Sequence, residues 1–219
     1  MNEPEWHTAD FPELRAGPPW VMQEMMGLQP ELAATILGAD DPALGAIADA
    51  VRDTVDAGRP VIVTGCGTSE HAAHGIAALL AAALPAAERI RVRALPAFSA
   101  ALDPQPGLCL AISHDGGTRA TLLALEAAAR AGAHTAAITA KPEGAVPRAA
   151  AHALVTPLTD RSWCHTVGYT SAIVAGAALA RRLGLAGARP GDASDALAGA
   201  LDQATADPIA ERLADRRVI

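Results

Sequence analysis

The fold is decided by the stretch VIVTGCGTS, residues 61–69, in which a short apolar run ends in a loop of glycine and hydroxyl residues. A helix of small residues, from about 70 to 84, follows this loop. The same order returns where the apolar run Leu108–Ile112 leads into SHDGGT, residues 113–118, and then into another helix. Short apolar runs that alternate with helices are typical of a parallel sheet with helices on both faces.

Three further runs complete the predicted sheet, at residues 90–93, 135–139 and 153–156, and a helix over 167–183 follows the last of them. We therefore predict a three-layer α/β fold with a five-stranded parallel sheet in the flavodoxin-like order. In such folds the ligand crevice lies outside the carboxyl ends of the strands, at the point where the strand order reverses. The loops after the first and third strands are expected to meet there.

The rest of the chain divides into flanking segments. We predict a surface arm over 1–19, N-terminal helices over 20–58, the α/β domain over 59–186, and a linker and helix over 187–219. The final residues, Arg216-Arg217-Val218-Ile219, resemble the entry to the first strand, Arg59-Pro60-Val61-Ile62. This similarity suggests that a second, similar domain starts at the end of the chain.

Composition limits the classes of function. The 219-residue chain has a formal net charge of −7 and no cluster of lysine or arginine, which argues against a nucleic-acid partner. Its three cysteines lie in or beside apolar runs, as reduced thiols do in a cytoplasmic protein. The N-terminus lacks a signal peptide, and the longest apolar runs are too short to span a membrane. We expect a soluble, cytoplasmic protein.

The first loop, residues 64–69, does not by itself identify a ligand. Its glycines let a ligand approach the backbone, and the amides at a helix start attract anions, although Thr68 or Ser69 can equally be a plain helix cap. A dinucleotide fingerprint needs a third glycine where this chain has Glu70, and a phosphate-binding P-loop needs a lysine that is absent. No cofactor is expected.

Two histidines lie in loops that the predicted topology brings to the crevice. His114 follows the third strand and His165 belongs to the polar segment 159–166 after the fifth strand. An imidazole there can open a sugar ring or move a proton between carbons, or it can simply bind hydroxyls. His71 and His74 share a helix face without a third ligand, so no metal site is expected.

Taken together, the three loops resemble the SIS (sugar isomerase) family, and more closely the isomerase half of glucosamine-6-phosphate synthases. The motif Cys-Gly-Thr-Ser of those enzymes is matched by residues 66–69, and Ser-Gln-Ser-Gly-Glu-Thr by residues 113–118. Val-Ala-Ser-Thr-Lys aligns with residues 163–167, and the segment from Met22 to Glu31 is similar to the family's opening helix. The resemblance runs from about residue 22 to 183.

The resemblance implies a pocket for a sugar or sugar phosphate, lined by Gly67, Thr68, Ser69, Ser113, His114, Asp115, Thr118, Trp163 and His165. His114 and His165 are the candidate catalytic residues. The implied function is part of an aldose–ketose isomerase, an aminotransferase-like enzyme or a deglycase. The alternative is a non-catalytic sugar-binding or regulatory module. Because SIS folds usually build sites between two such domains, a homodimer is expected.

Several departures from the family's motifs bear on the ligand. Asp115 replaces the family's second serine, Gly117 its glutamate and Val167 its lysine. A carboxylate about 4 Å from a phosphate costs about 4 kcal/mol at an effective dielectric constant of ~20, or roughly a thousandfold in affinity. Unless Arg119, Arg161 or a charged His114 compensates, we expect a preference for an unphosphorylated or amino sugar.

Other departures bear on the reaction. By the resemblance, the catalytic base, the ring-opening histidine and the C-terminal lysine of the synthases belong to their second SIS domain. The sequence also has no N-terminal cysteine nucleophile and no room for a glutaminase domain. Glutamine-dependent amination is therefore not supported.

Overall fold

The computed structural model describes residues 15–162, 164–201 and 203–214. Five parallel strands form one sheet in the order β2-β1-β3-β4-β5. They are β1 Val61–Gly65, β2 Val92–Pro96, β3 Leu108–Ile112, β4 His134–Thr139 and β5 His152–Val155. Every pairing is parallel, which confirms the predicted flavodoxin-like α/β fold.

The described helices are α1 Val21–Gly38, α2 Pro42–Asp56, α3 Thr68–Ala82, α4 Ala97–Leu102, α5 Arg119–Arg130, α6 Ala145–Ala149, α7 Val167–Arg182, α8 Pro190–Ala200 and α9 Gln203–Leu213. Proline at the first position of α2 and the Asp41 carboxylate, which accepts a hydrogen bond from the Ala43 amide at 2.8 Å, together start that helix.

Side chains alternate in direction along each strand, so the hydrophobic core lies on both faces of the sheet. Val61 and Val63 pack with residues of α2, α3 and α7 on one face. Ile62 packs with α4 and α5 on the other, where Cys109 packs with α5 and α6. Successive residues of a strand point to opposite faces, so the sheet is covered on both sides and three layers result.

Glycine and alanine let the helices pack closely. A Cβ atom at Gly176 of α7 would lie 2.6 Å from Cγ1 of Ile76 in α3, closer than two carbons can approach. The absence of a side chain at this position therefore brings α3 and α7 together. Both helices begin beside the carboxyl edge of the sheet.

The structure corrects several predicted element boundaries. The second strand begins at Val92 rather than residue 90, because Ile90 lies exposed in a short 3-10 helix, Arg89–Arg91. The one helix predicted within 187–219 is two helices, α8 and α9, and the first of them begins at Pro190. The short helices α4 and α6 are absent from the prediction, since five or six residues are too few to show a helical period.

Two terminal predictions lie largely outside the described residues. They are the arm over 1–19, of which only residues 15–19 are described, and the strand-like segment 216–219. Among the described helices, none has the length and apolar character needed to cross a membrane.

Candidate functional site

A cavity of about 230 Å³ lies where the loops after β1, β3 and β5 meet. β1 and β3 are adjacent in the sheet, and the strand order reverses between them. The lining residues come from these three loops and from the first turns of the helices that follow them. They are Cys66, Gly67, Thr68, Ser69, His114, Asp115, Thr118, His165, Gly168 and Tyr169.

The first wall of the cavity is the turn from β1 into α3. A Cβ atom at Gly65 would lie 2.6 Å from the backbone of Ser69, and Gly67 has a positive φ of 60°. Only glycine allows this tight return of the chain. The turn places the hydroxyls of Thr68 and Ser69 and the first amides of α3 at the cavity, and amides at a helix start have no partner within the helix.

The second wall is the turn from β3 into α5. Gly116 has a positive φ of 65°, and a Cβ atom there would lie 2.8 Å from the carbonyl oxygen of Lys141. Thr118 stands at the N-cap of α5 and lines the cavity. The hydroxyl of Ser113, which is fully buried, lies 3.3 Å from that of Thr118. Ser113 therefore contacts Thr118 from the protein interior and helps to hold it in the wall.

The third wall is organised by Asp160. Its carboxylate accepts hydrogen bonds from the Gly168 amide at 2.9 Å and from the Ser162 amide and hydroxyl at 2.8 and 2.6 Å. Burial raises the pKa of Asp160, but these hydrogen bonds outweigh burial and the pKa is lowered. Asp160 thus places a negative charge at the start of α7, whereas no described side chain caps the start of α3 or α5.

His114 is the buried side chain of the cavity, with 8% of its surface exposed. Its Nε2 accepts a hydrogen bond from the Asp160 amide at 2.8 Å. Its pKa is lowered, chiefly by burial and also by His165 and Lys141, against the opposing effect of Asp115 and Asp160. The rings of His114 and His165 meet edge to face with centroids 5.8 Å apart.

Most of the predicted site residues lie together. Seven of the nine line the cavity: Gly67, Thr68, Ser69, His114, Asp115, Thr118 and His165. Ser113 lies behind Thr118, and Trp163 lies outside the described residues. The proposed compensating cations, Arg119 and Arg161, are exposed, and among the described residues no arginine or lysine lines the cavity.

Four residues of the site are absent from the prediction. Gly168 and Tyr169 line the cavity from the first turn of α7, and Cys66 lines it from the loop after β1. Asp160 does not line the cavity; it organises the third wall through its hydrogen bonds. Gly168 and Tyr169 could have been predicted from their position at the start of a helix that follows a polar loop. Thr68 and Thr118 occupy the same kind of position.

A comparison with protein-family models matches residues 56–185 to the SIS domain. The chain belongs to the SIS family. The match covers the sheet and all three loops of the cavity, which is the part of the molecule that the sequence motifs had indicated. No curated protein sequence matches the chain significantly.

Solved structures share this fold. The C-terminal domain of glucosamine-fructose-6-phosphate aminotransferase from Francisella tularensis is 21% identical with a TM-score of 0.70, over 93% of this chain and 62% of that one. Tagatose-6-phosphate ketose/aldose isomerase from Escherichia coli is 18% identical with a TM-score of 0.66, over 89% and 56%. The sugar isomerase domain of an RpiR transcription factor from Sphaerobacter thermophilus is 21% identical with a TM-score of 0.56, over 82% and 97%.

These neighbours include two enzymes and one regulator. The chain spans only 53 to 62% of several of the structures it matches. The likeness therefore establishes the fold of this chain but not its activity.

Proposed function

We propose that the cavity binds a sugar derivative. The observation that carries this proposal is that α3 and α5 both begin at one cavity, with the hydroxyls of Thr68, Ser69 and Thr118 beside their free amides. Amides and hydroxyls together provide many donors and acceptors for sugar oxygens, and the starts of two helices favour a partial or full negative charge. The names of the structural neighbours, two enzymes of sugar phosphates and a sugar isomerase domain, support the same class of ligand.

The ligand is an unphosphorylated or amino sugar in this proposal. The carboxylate of Asp115 is exposed at the cavity, where it repels a phosphate dianion and accepts hydrogen bonds from hydroxyl or ammonium groups. Neither Arg119 nor Arg161 is among the described residues that line the cavity, so neither offsets the charge of Asp115 there.

As to reaction, the chain forms part of an aldose–ketose isomerase, an aminotransferase-like enzyme or a deglycase. Each of these reactions moves a proton at a carbon next to a carbonyl or imine, and His114 and His165 are the candidate catalytic residues. A second SIS unit, from another copy of the chain in a homodimer, supplies a base at the open side of the cavity. Sedimentation at tens of micromolar tests the dimer, and a single monomeric species contradicts it.

The second candidate function is a non-catalytic sugar-binding module. The observation that favours it is that the carboxylate of Asp160 and Nε2 of His114 are already engaged in hydrogen bonds within the protein. Exchange for deuterium of a C1 proton of fructose-6-phosphate, or of the C2 proton of glucose or glucosamine, followed by NMR, separates the two functions. Exchange that requires the protein supports the enzyme, and binding without exchange supports the module.

Calorimetry tests the binding itself. Glucose, glucosamine, glucose-6-phosphate and fructose-6-phosphate are titrated into the wild-type chain and into the double variant Ser69→Ala/Thr118→Val. We expect at least one sugar to bind the wild type and the double variant to lose tenfold or more, since two hydroxyl contacts are removed. Thr35→Ala, which removes an exposed hydroxyl on α1, is the control and leaves affinity unchanged. Equal binding by all three proteins places the ligand elsewhere.

A further inference from the structure

The two ring nitrogens of His114 have different surroundings. Nε2 accepts a hydrogen bond from the backbone amide of Asp160 at 2.8 Å. A backbone amide can only donate, so Nε2 carries a lone pair. In the neutral ring the proton is therefore on Nδ1.

The other nitrogen has no hydrogen-bond partner among the described residues. Nδ1 of His114 makes no hydrogen bond to any described residue, and it is not among the fully buried polar atoms without a partner. The small exposed part of this side chain belongs to the cavity that it lines. Nδ1 is thus a hydrogen-bond donor that can be satisfied from the cavity.

The ring cannot easily turn away. A Cβ atom at Gly168 would lie 3.0 to 3.1 Å from Cγ, Cδ2 and Nδ1 of His114, so the first turn of α7 lies directly against the ring. His165 contacts it edge to face. Together with the Asp160 hydrogen bond, these contacts hold the imidazole in one orientation.

We infer that His114, held as the neutral Nδ1–H tautomer by the Asp160 amide, donates a hydrogen bond from Nδ1 to an oxygen of the bound sugar and determines specificity rather than acting as a base. This inference rests on the proposed function. The lone pair of Nε2 is used within the protein and Nδ1 is already protonated, so the ring has no free site for a substrate proton. Proton transfer by a histidine of this cavity then falls to His165, which is exposed and makes no hydrogen bond to the described residues.

Protonation of His114 would oppose this arrangement. A proton on Nε2 would face the Asp160 amide, and two donors would repel each other. Asp115 and the carboxylate of Asp160 favour the charged ring, whereas burial, His165 and Lys141 disfavour it, and burial dominates. The pKa of His114 is therefore below 6.5, the ordinary value for histidine, and the ring is expected to be neutral at pH 7.

The tautomer is tested without any ligand. Two-bond proton–nitrogen NMR of the full chain, labelled at histidine, distinguishes a protonated from an unprotonated ring nitrogen, and His114→Gln assigns the signal. We expect Nδ1 protonated and Nε2 unprotonated at pH 7. A proton on Nε2 at pH 7, alone or with one on Nδ1, overturns the inference whatever the protein binds.

The donor role is tested with glucosamine and glucose-6-phosphate as probes. His114→Gln keeps an acceptor for the Asp160 amide and a donor for the sugar, so its affinity stays within about threefold of wild type. His114→Leu removes the donor and loses tenfold or more, while the control His152→Gln, at an exposed position, changes nothing. Wild-type affinity in His114→Leu overturns the donor role. If the wild type binds neither probe, the donor role fails for these sugars together with the proposed function. The tautomer is decided separately, by the NMR spectrum.

Discussion

A Cβ atom at position 168 would lie 3.0 Å from Cγ of His114, so the missing side chain of Gly168 sets the position of that imidazole. The two residues belong to different walls of the cavity. The glycine at the start of α7 is therefore part of the site although it contributes no functional group.

Replacing Gly168 by alanine should displace the imidazole of His114, because overpacking forces neighbouring side chains to move. Sugar binding should weaken by about tenfold, since the hydrogen bond from His114 is lost. Calorimetry measures the affinity. Gly75→Ala is the matched control, since its Cβ atom would lie at an ordinary 3.6 Å from Ile173. The control should keep its affinity and gain about 0.5–1 kcal/mol of stability from the helix. Equal affinity in both variants would show that the ring adjusts freely.

Asp160→Asn should destabilise the protein by about 1–3 kcal/mol at pH 7, since the charged acceptor of the Gly168 and Ser162 amides is lost. The folded-state pKa of Asp160 lies below its unfolded value of 3.8, so its contribution is present above that pH and is lost as the pH falls through the folded pKa. Urea unfolding at pH 7 and pH 3 measures both effects.

The control for that experiment is Asp49→Asn, which removes an exposed ion pair with Arg52. Surface pairs of this kind contribute about 0–1 kcal/mol, so the change should be small at either pH. A loss at Asp160 no larger than at Asp49 would mean that the hydrogen bonds at the start of α7 contribute little to stability.

Asp115→Ser should raise the affinity for glucose-6-phosphate at pH 8, where the phosphate is a dianion. The carboxylate is exposed, so water screens it more strongly than an effective dielectric constant of ~20 assumes. We therefore expect a gain of about tenfold rather than roughly a thousandfold. Affinity for glucosamine should fall. Asp103→Ser, an exposed change at the end of α4, serves as the control and alters neither affinity. Tight phosphate binding by the wild type without improvement in Asp115→Ser contradicts the proposed preference.

The three cysteines should react with a thiol reagent in the order Cys164, Cys66, Cys109. Cys164 is exposed, Cys66 is half-buried in the cavity, and burial raises the pKa of Cys109 to about 12. A bound sugar should slow modification of Cys66 and leave that of Cys164 less affected. Mass spectrometry after timed quenching gives each rate. Reaction of Cys109 before unfolding would contradict its burial.

How well each strand could be predicted depended on its burial. The central strand β3 has the predicted bounds, Leu108–Ile112, because a strand covered on both faces is a continuous apolar run. The edge strand β2 is only partly buried and contains Arg93, so its apolar signal is weak and its start was placed two residues early. The two glycine-rich loops could be located for the same reason as β3, since each begins where a buried strand ends.

By itself, the sequence determined that a parallel sheet brings the loops around Thr68 and Thr118 to one crevice, because strand and helix periodicity and turn residues are local signals. Only the tertiary structure decided how that crevice is organised. The bond between the Asp160 amide and His114 joins residues 46 positions apart, and the contact of Gly168 with the same ring joins two different helix starts. Such contacts depend on how the helices pack across the sheet, and no pattern along the chain encodes the resulting distances.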